Sequence, residues 1–355
     1  MKTDAIKIVG TGLIGTSLGL ALARHGITAR LSDSSKANLR LAIEYGAGEE
    51  SNQEPQLIIV CVPPDLTAEV IVQELETHPN SFVTDTASVK SQIQSKVLEL
   101  APEQAARYVG SHPMAGREKS GPGGARADLF FARPWVITPT QQSSKEALEL
   151  VQDLALRIGA LPVVMTAKEH DEAVALVSHL PQLVASALAA RLVEGSEGQL
   201  RLTGQGLRDT SRIAASDPKL WVQIFSQNAD AIAPLITKFR EELEALEQSF
   251  SNLEERGALA RIDSLLGRGN SGIARIPGKH GGKFIDYQQL TIVIDDSPGA
   301  LASLLTFIGE IGVNIEDLKL EHSPGAPIGL VEIQVNPEAA DQLSIRLVEN
   351  GWRIV

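Results

Sequence analysis

The sequence predicts a chain of three parts: an α/β domain with a mostly parallel sheet, an all-helical segment, and a small α+β domain. Three observations predict this. Apolar strand-like runs alternate with helical patterns over the first part, and long amphipathic helices without strand signals follow. The carboxyl-terminal part then alternates as strand, helix, strand, strand, helix, strand, which is the ferredoxin-like order.

The first strand, AIKIVG, leads into a glycine-rich turn. Gly10, Gly12 and Gly15 complete the pattern G-x-G-x-x-G as an amphipathic helix opens, and a second strand, TARLSD, ends in Asp33. Strand, glycines, helix, strand and terminal acid in this order favour a Rossmann-like domain that binds a dinucleotide. A glycine-rich turn without a ligand is the alternative interpretation.

The predicted cofactor is NAD. Backbone N–H groups at the helix N-terminus would bind the pyrophosphate. Asp33 would accept hydrogen bonds from the ribose hydroxyls and repel a 2′-phosphate, which favours NAD over NADP, although Lys36 and Arg40 are close in sequence. The predicted cofactor-binding residues are Gly10, Gly12, Leu13, Ile14, Gly15 and Asp33.

Further strand-like runs extend the sheet, at residues 57–63, 82–88, 107–112 and 135–139. In mostly parallel sheets, ligands bind beyond the carboxyl ends of the strands. Ser88 and His112 both lie at such ends. We therefore expect both residues to lie near the cofactor.

The change of pattern along the chain predicts the domain boundaries. They are 1–166 for the dinucleotide-binding domain, 167–266 for the helical substrate and dimerisation domain, 267–285 for a linker rich in glycine and basic residues, and 286–355 for the small α+β domain. The helical segment has more apolar surface than one small domain can bury, which predicts a homodimer.

Composition narrows the partners and the compartment. The net charge of −12 argues against nucleic acid and anionic membrane surfaces, because both require clustered Lys and Arg. The single cysteine, Cys61, allows no internal disulfide and fits a reducing compartment. The apolar amino-terminal stretch is better explained as strand, turn and helix than as a signal peptide, so we expect a cytoplasmic protein without a membrane span. No metal site is predicted.

An enzyme that oxidises an alcohol with NAD needs a general base, and histidine has a suitable pKa. Five of the seven histidines lie in turns, in the linker or among polar residues and are expected to be solvated: His25, His78, His170, His280 and His322. His112 and His179 remain. A structural histidine in a turn or core is the alternative for His112, but its position at a strand end favours function.

Two further residues, Ser88 and Arg212, each have a structural and a functional interpretation. Ser88 is either the N-cap of the following helix or a residue that fixes the tautomer of His112. Arg212 is either part of a surface ion pair with Asp209 or Asp217, or a guanidinium that binds a substrate carboxylate.

These residues lie in motifs that resemble the prephenate/arogenate dehydrogenases of tyrosine biosynthesis. The motifs are GTGLIG, DTASVK, SHPMAG, VSHLPQ and GLRDTSRIAASDP, followed by a segment similar to an ACT domain. The resemblance covers the whole chain, and SHPMAG together with RDTSRIA is its most specific part.

The resemblance implies a reaction and a set of roles. His112 would accept the proton of the ring hydroxyl while hydride passes to NAD and CO₂ leaves, which converts prephenate to 4-hydroxyphenylpyruvate. Ser88 would orient His112 and the nicotinamide, Arg212 would bind the ring carboxylate, and His179 would shape the substrate pocket. The ACT-like domain implies tyrosine as an effector, near Gly312 and Asn314.

Gln182 departs from the family pattern, because many members have a second histidine there. A neutral glutamine offers an acceptor to the ammonium group of arogenate and a donor to the keto group of prephenate. We therefore expect prephenate as the substrate, with appreciable arogenate activity. The alternatives are an arogenate dehydrogenase, another NAD(P) enzyme such as a β-hydroxyacid dehydrogenase, and a non-catalytic amino-acid sensor.

Overall fold

The computed structural model describes residues 5–116, 121–277, 287–322 and 328–355. The chain forms two compact units, Met1–Leu243 and Glu244–Val355.

The first unit is built on a seven-stranded sheet in the order β2-β1-β3-β4-β5-β6-β7. Its strands are β1 (Ile6–Val9), β2 (Arg30–Ser32), β3 (Leu57–Val60), β4 (Phe82–Asp85), β5 (Tyr108–Pro113), β6 (Pro134–Thr138) and β7 (Leu161–Val164). All neighbouring strands are parallel except β5 and β6, which are antiparallel. The predicted mostly parallel sheet is confirmed.

Helices cover both faces of this sheet, and β3 shows why. Its residues Leu57 and Ile59 pack into one apolar core, whereas Ile58 and Val60 pack into the core on the opposite face. A strand buried on both faces has to be apolar throughout, as LIIV is. The covering helices are α1 (Leu13–Ala23), α2 (Lys36–Glu44), α3 (Pro64–Thr77), α4 (Ser91–Leu100) and α5 (Lys145–Arg157).

The helical segment begins directly after the sheet. Its helices are α6 (Ala167–Val174), α7 (Leu180–Arg191), α8 (Glu197–Leu200), α9 (Gln205–Ser211), α10 (Pro218–Gln227) and α11 (Ala229–Ser251). One turn of π-helix, Ala175–His179, joins α6 to α7, and a 3₁₀ turn, Arg212–Ala215, follows α9.

Among the described residues, the continuous helical stretch Ala167–Glu194 is long and apolar enough to cross a membrane, with a mean hydropathy of 1.6. The stretch carries the buried polar side chains His170, Asp171, His179 and Gln182. Its exposed apolar residues, such as Leu176 and Val177, fit the predicted subunit interface.

The second unit contains α12 (Ala258–Ile273) and a four-stranded antiparallel sheet in the order β11-β8-β10-β9. The remaining elements are β8 (Gln288–Asp295), α13 (Ala300–Ile311), β9 (Asp317–His322), β10 (Ile328–Val335), α14 (Pro337–Glu349) and β11 (Arg353–Ile354). The predicted ferredoxin-like order is confirmed, with β10 lying between β8 and β9.

Two details of the fold differ from the sequence prediction. Strand β7 was not predicted, because its four residues LPVV contain a proline. The predicted linker begins too early, since Gly267–Ile273 continue α12. Each glycine in a helix costs only about 1 kcal/mol, and no proline occurs between Gly267 and Pro277 to end the helix earlier.

Candidate active site

The glycine loop has the shape that a dinucleotide requires. Gly10 has φ +95°, and a Cβ atom there would lie 2.4 Å from the backbone oxygen of Cys61. A Cβ atom on Gly15 would lie 1.9 Å from the backbone oxygen of Gly10, whereas a Cβ atom on Gly12 would meet nothing within 4 Å. Gly10 and Gly15 thus close the turn tightly, and the space beside Gly12, the N-cap of α1, fits a pyrophosphate.

Asp33 lies beside this loop, as predicted. Its Oδ2 accepts hydrogen bonds from the backbone N–H of Thr11 at 2.6 Å and from Thr11 Oγ1 at 2.8 Å. Its Oδ1 accepts one from the backbone N–H of Ser35 at 2.6 Å. The carboxylate is therefore fixed next to the glycine turn, and it retains lone pairs for ribose hydroxyls because two carboxylate oxygens can accept about four bonds.

His112 lies near the carboxyl end of β5 and is half-buried. Its Nδ1 lies 2.8 Å from Nε2 of His170, and the two rings meet edge to face. Burial, and then the nearby charges of His170, Lys90 and His179, lower the pKa of His112 well below its usual range. His112 is therefore neutral at pH 7, which is the form that can accept a proton.

His170 was predicted to be solvated, and that prediction was wrong: its ring is fully buried. Nδ1 of His170 lies 2.8 Å from Oδ1 of Asp171. Asp171 in turn accepts the backbone N–H groups of Lys90 at 2.9 Å and Ser91 at 2.7 Å, at the start of α4. This capping holds α6 against the start of α4, so His170 is enclosed rather than exposed.

A buried charged network lies directly behind His112. Lys90 Nζ donates to Oδ1 of Asp85 and, at 2.8 Å, to the backbone oxygen of Ser111. The hydroxyl of Tyr108 donates to Oδ2 of Asp85 at 2.9 Å. Burial lowers the pKa of Lys90, and the adjacent Asp85 carboxylate opposes that effect. The network joins the end of β4 to β5 next to His112.

His179 lies in the π-helical turn and is 1% exposed. Nδ2 of Asn228 lies 3.0 Å from His179 Nδ1 and 2.9 Å from the backbone oxygen of Asp171. The rings of Trp221 and Phe225 meet the imidazole edge to face. Burial lowers the pKa of His179 to about 4, so it is a neutral hydrogen-bonding group at pH 7. π-Helical turns of this kind are frequent at functional sites.

Gln182 and Arg212 belong to elements that pack against each other. Gln182 lies one turn beyond His179 in α7, is 4% exposed, and donates from Nε2 to Ser186 Oγ at 3.3 Å. Arg212 is exposed and opens the 3₁₀ turn that packs against α7. The fold thus brings the RDTSRIA motif next to the helix that carries Gln182.

The comparisons with known proteins agree on one family. Residues 18–165 match the prephenate dehydrogenase nucleotide-binding domain, and residues 166–262 match the prephenate dehydrogenase dimerization domain. A probable prephenate dehydrogenase of Streptomyces niveus, NovF, is 34% identical over 354 residues, covering 97% of this chain and 98% of that protein. The chain belongs to the prephenate dehydrogenase family. Its activity is the NAD-dependent dehydrogenation of prephenate.

Two solved structures of the family share this fold. Prephenate dehydrogenase from Aquifex aeolicus, in complex with hydroxyphenyl propionate and NAD⁺, has a TM-score of 0.66 and 26% identity, covering 76% of this chain and 99% of that one. Synechocystis arogenate dehydrogenase has a TM-score of 0.62 and 28% identity, covering 75% of this chain and 99% of that one.

Ser88 does not make the contact that the family resemblance implies. Within residues 5–116 and 121–277, no hydrogen bond joins Ser88 to His112, whose Nδ1 is paired with His170 instead. Ser88 is not the N-cap of α4 either, because that helix begins at Ser91 and its N-cap is Lys90. A contact of half-buried Ser88 with the nicotinamide stays a prediction.

Other predicted residues lie outside this site. His25 is exposed, whereas His78 is bound by Glu54 at 3.0 Å and so is not simply solvated. His280 lies outside the described residues. Gly312 ends α13 with φ +80°, and Asn314 donates to Glu316 Oε1 at 2.7 Å, so both residues lie in the turn that leads to β9.

The sequence reasoning missed four residues of the site: Lys90, His170, Asp171 and Asn228. A signal was present for two of them. Ala167, His170, Asp171 and Val174 follow the spacing i, i+3, i+4, i+7, and all four are buried. Polar residues on the buried face of a helix require partners, which is a reason to look for a site.

Proposed function

We propose that this enzyme converts prephenate to 4-hydroxyphenylpyruvate by oxidative decarboxylation, with His112 as the general base. The observation that carries this proposal is a neutral, half-buried imidazole near the carboxyl end of β5, with one ring nitrogen held by His170. A general base has to be unprotonated at the working pH, and the lowered pKa of His112 meets that requirement.

In this reaction, bound NAD supplies the hydride acceptor. His112 takes the proton of the ring hydroxyl as the C–H bond at the same carbon breaks, and the bond to the ring carboxylate breaks to release CO₂. The aromatic product then takes the proton back on its oxygen, because a phenol has a pKa of about 10, far above that of His112. The proton is thus held transiently and is not released.

Residues of the helical segment bind the substrate in this proposal. Arg212 pairs with the ring carboxylate, which is absent from the product, so this contact favours substrate and transition state over product. His179 and Gln182 face the side chain of the substrate. Their burial on neighbouring turns of one helical stretch supports this assignment.

Three further assignments belong to the same proposal. The enzyme is a homodimer, which is supported by the match to a dimerization domain and by exposed apolar residues such as Leu188 and Val222. It acts in the cytoplasm, which the single cysteine supports. Tyrosine binds near Gly312 and Asn314 and inhibits the enzyme. The ferredoxin-like order of the second unit, which an ACT domain also has, supports an effector domain.

The arogenate alternative has a specific observation in its favour. The amide of Gln182 carries no charge, so it does not repel an ammonium group. The similarity to Synechocystis arogenate dehydrogenase is consistent with this. We therefore expect prephenate as the main substrate and measurable turnover of arogenate.

His112→Asn tests the proposal. NADH formation from prephenate, followed at 340 nm, should show kcat lowered by about 10² to 10⁴, the usual contribution of a general base. The affinity for NAD should be unchanged. His25→Asn, which alters an exposed histidine in the same unit, is the matched control and should keep full activity.

The pH profile gives a second readout. Since neutral His112 is the active form and its pKa is lowered, wild-type activity should persist as pH falls through 6.5 and be lost only at lower pH. This acid limb should vanish in the variant. A decrease in kcat of less than about tenfold would remove His112 from the role of base.

A further inference from the structure

Three side chains form a continuous line behind the base: His112, His170 and Asp171. Nδ1 of His112 lies 2.8 Å from Nε2 of His170, and Nδ1 of His170 lies 2.8 Å from Oδ1 of Asp171. His170 is fully buried and Asp171 is 4% exposed. The family resemblance assigned the orientation of His112 to Ser88, so His170 and Asp171 have no step in the reaction as described above.

The hydrogen-bonding capacities of these groups fix the tautomers. An ionised carboxylate only accepts hydrogen bonds, so Nδ1 of His170 carries a hydrogen and donates it to Asp171. With no second hydrogen on its ring, His170 has a lone pair on Nε2, which accepts from Nδ1–H of His112 at 2.8 Å. Neutral His112 is left with its lone pair on Nε2, the nitrogen that remains for the substrate.

Asp171 is kept ionised by its surroundings. Burial alone would raise the pKa of this carboxyl, but the hydrogen bonds from His170, from Ser91 and from the backbone of Lys90 lower it. The line therefore starts from a fixed negative charge, and the direction of every hydrogen bond follows from that charge.

We propose that His170 and Asp171 are positioning residues that hold His112 in the Nε2-basic tautomer and share the proton it accepts. When the O–H bond of the substrate breaks, its proton binds Nε2 of His112, and the hydrogen on His112 Nδ1 moves toward Nε2 of His170. Asp171 stabilises the resulting positive charge. When the proton returns to the product oxygen, both shifts reverse. The inference rests on the proposed role of His112.

The burial of the line agrees with this cycle. The reaction returns the proton to the product, so the line does not need to pass a proton to solvent. His170 and Asp171 are enclosed by the start of α4 and by Asn228, which donates to the backbone oxygen of Asp171. The other titratable groups that face His112 are Lys90 and His179, and neither lies between His112 and Asp171 in the line.

Two variants separate holding the tautomer from sharing the proton. In His170→Gln, the amide oxygen can still accept Nδ1–H of His112 but cannot take a proton. In His170→Phe, neither function remains. We expect kcat to fall about tenfold in His170→Gln and about 10² to 10³-fold in His170→Phe, since a wrongly held tautomer in a serine protease triad costs about 10⁴. KM and the affinity for NAD should change less than threefold in both, and His25→Gln should match wild type.

A spectroscopic readout tests the tautomer without any turnover. ¹⁵N-histidine spectra of the wild-type protein should show His112 protonated on Nδ1 and unprotonated on Nε2 at pH 7.5, and His170→Phe should lose this preference. A wild-type His112 protonated on Nε2 overturns the proposal, whether or not the variants fold. A kcat of His170→Gln equal to that of the wild type would overturn proton sharing, and equal kcat values in the two His170 variants would overturn the holding of the tautomer.

The two readouts also keep this inference distinct from the proposed function. If His112→Asn retained its activity while the wild-type spectrum showed the expected tautomer, the role of base would fail, proton sharing would fail with it, and only the holding of the tautomer by His170 would stand. If His112→Asn lost activity while both His170 variants were fully active, the positioning role alone would fail.

Discussion

Gln182→His tests which substrate side chain the enzyme accepts. The side chain of prephenate ends in a keto acid, whereas that of arogenate ends in an ammonium group and a carboxylate. Gln182 is 4% exposed, and one hydrogen of its Nε2 is bonded to Ser186 Oγ at 3.3 Å. The second Nε2 hydrogen and Oε1 remain, so the amide can donate to a keto oxygen and accept from an ammonium group.

An imidazole at position 182 offers fewer hydrogen-bonding groups to the substrate than the amide of Gln182 does. If one ring nitrogen accepts the hydroxyl of Ser186, only the N–H remains for the substrate, which suits the keto group and leaves the ammonium group without an acceptor. One lost buried polar partner costs about 1 to 3 kcal/mol, or roughly 5- to 150-fold in kcat/KM. We therefore expect the ratio of kcat/KM for prephenate to that for arogenate to rise by this factor.

Charge is not needed for this shift. Burial lowers the pKa of His179, one turn earlier, to about 4, so an imidazole introduced beside it should be neutral from pH 6 to 8. The altered ratio should therefore be constant over that range. A ratio that changes only toward acid pH would point to repulsion between charges instead of a lost acceptor.

The assay compares initial rates of NADH formation for both substrates with the wild type, Gln182→His and Gln182→Glu. The glutamate variant is the opposite control, because an ionised carboxylate only accepts hydrogen bonds and should favour arogenate. If the ratio is the same in all three proteins, Gln182 does not face the side chain of the substrate, and the argument is refuted.

Three other predictions concern the carboxylate, the cofactor and the second unit. Arg212→Ala should raise KM for prephenate, because the substrate loses a charged partner that contributes about 1.5 to 3 kcal/mol. NAD binding, measured by fluorescence, should be unchanged, and a matching loss of NAD affinity would mean that Arg212 has a structural role. Asp33→Ala should weaken NAD binding and improve the relative use of NADP, and an unchanged ratio of kcat/KM for the two cofactors would contradict its assigned role. Truncation after Gly282 should leave activity but abolish inhibition by tyrosine, whereas equal inhibition of both forms would place the effector in the active site.

The sequence predicted those features that depend on local pattern. The strands of the first sheet have distinctive apolar runs, and the glycine turn needs Gly10 and Gly15 for steric reasons that act over a few residues. His112 could be placed near a strand end because the boundary of β5 is marked by the turn residues after it. The ferredoxin-like order of the second unit followed from alternation in the same way.

The partners of His112 could not be predicted in this way. His170 is 58 residues away in the sequence, and Asp171 is 81 residues from the backbone N–H of Lys90 that it accepts. These contacts depend on how α6 packs on the end of the sheet, which no local pattern encodes. The pair of acids beside His170 suggested a solvated helix start. In the structure only Glu169 serves that purpose, as part of the capping box with Thr166, and Asp171 turns inward.

Asp171 connects the three histidines of the candidate site, His112, His170 and His179. Its carboxylate holds His170, and through it His112 on the sheet, while it also binds the first N–H groups of α4. Its backbone oxygen accepts Asn228, whose amide lies 3.0 Å from His179. A buried carboxylate is costly unless all its bonds are made, so any displacement of α6 from the sheet would leave that charge unpaired. The requirement to keep one charge bonded thus couples His112, the proposed base, to His179, which we propose faces the substrate side chain, although the two lie on different elements.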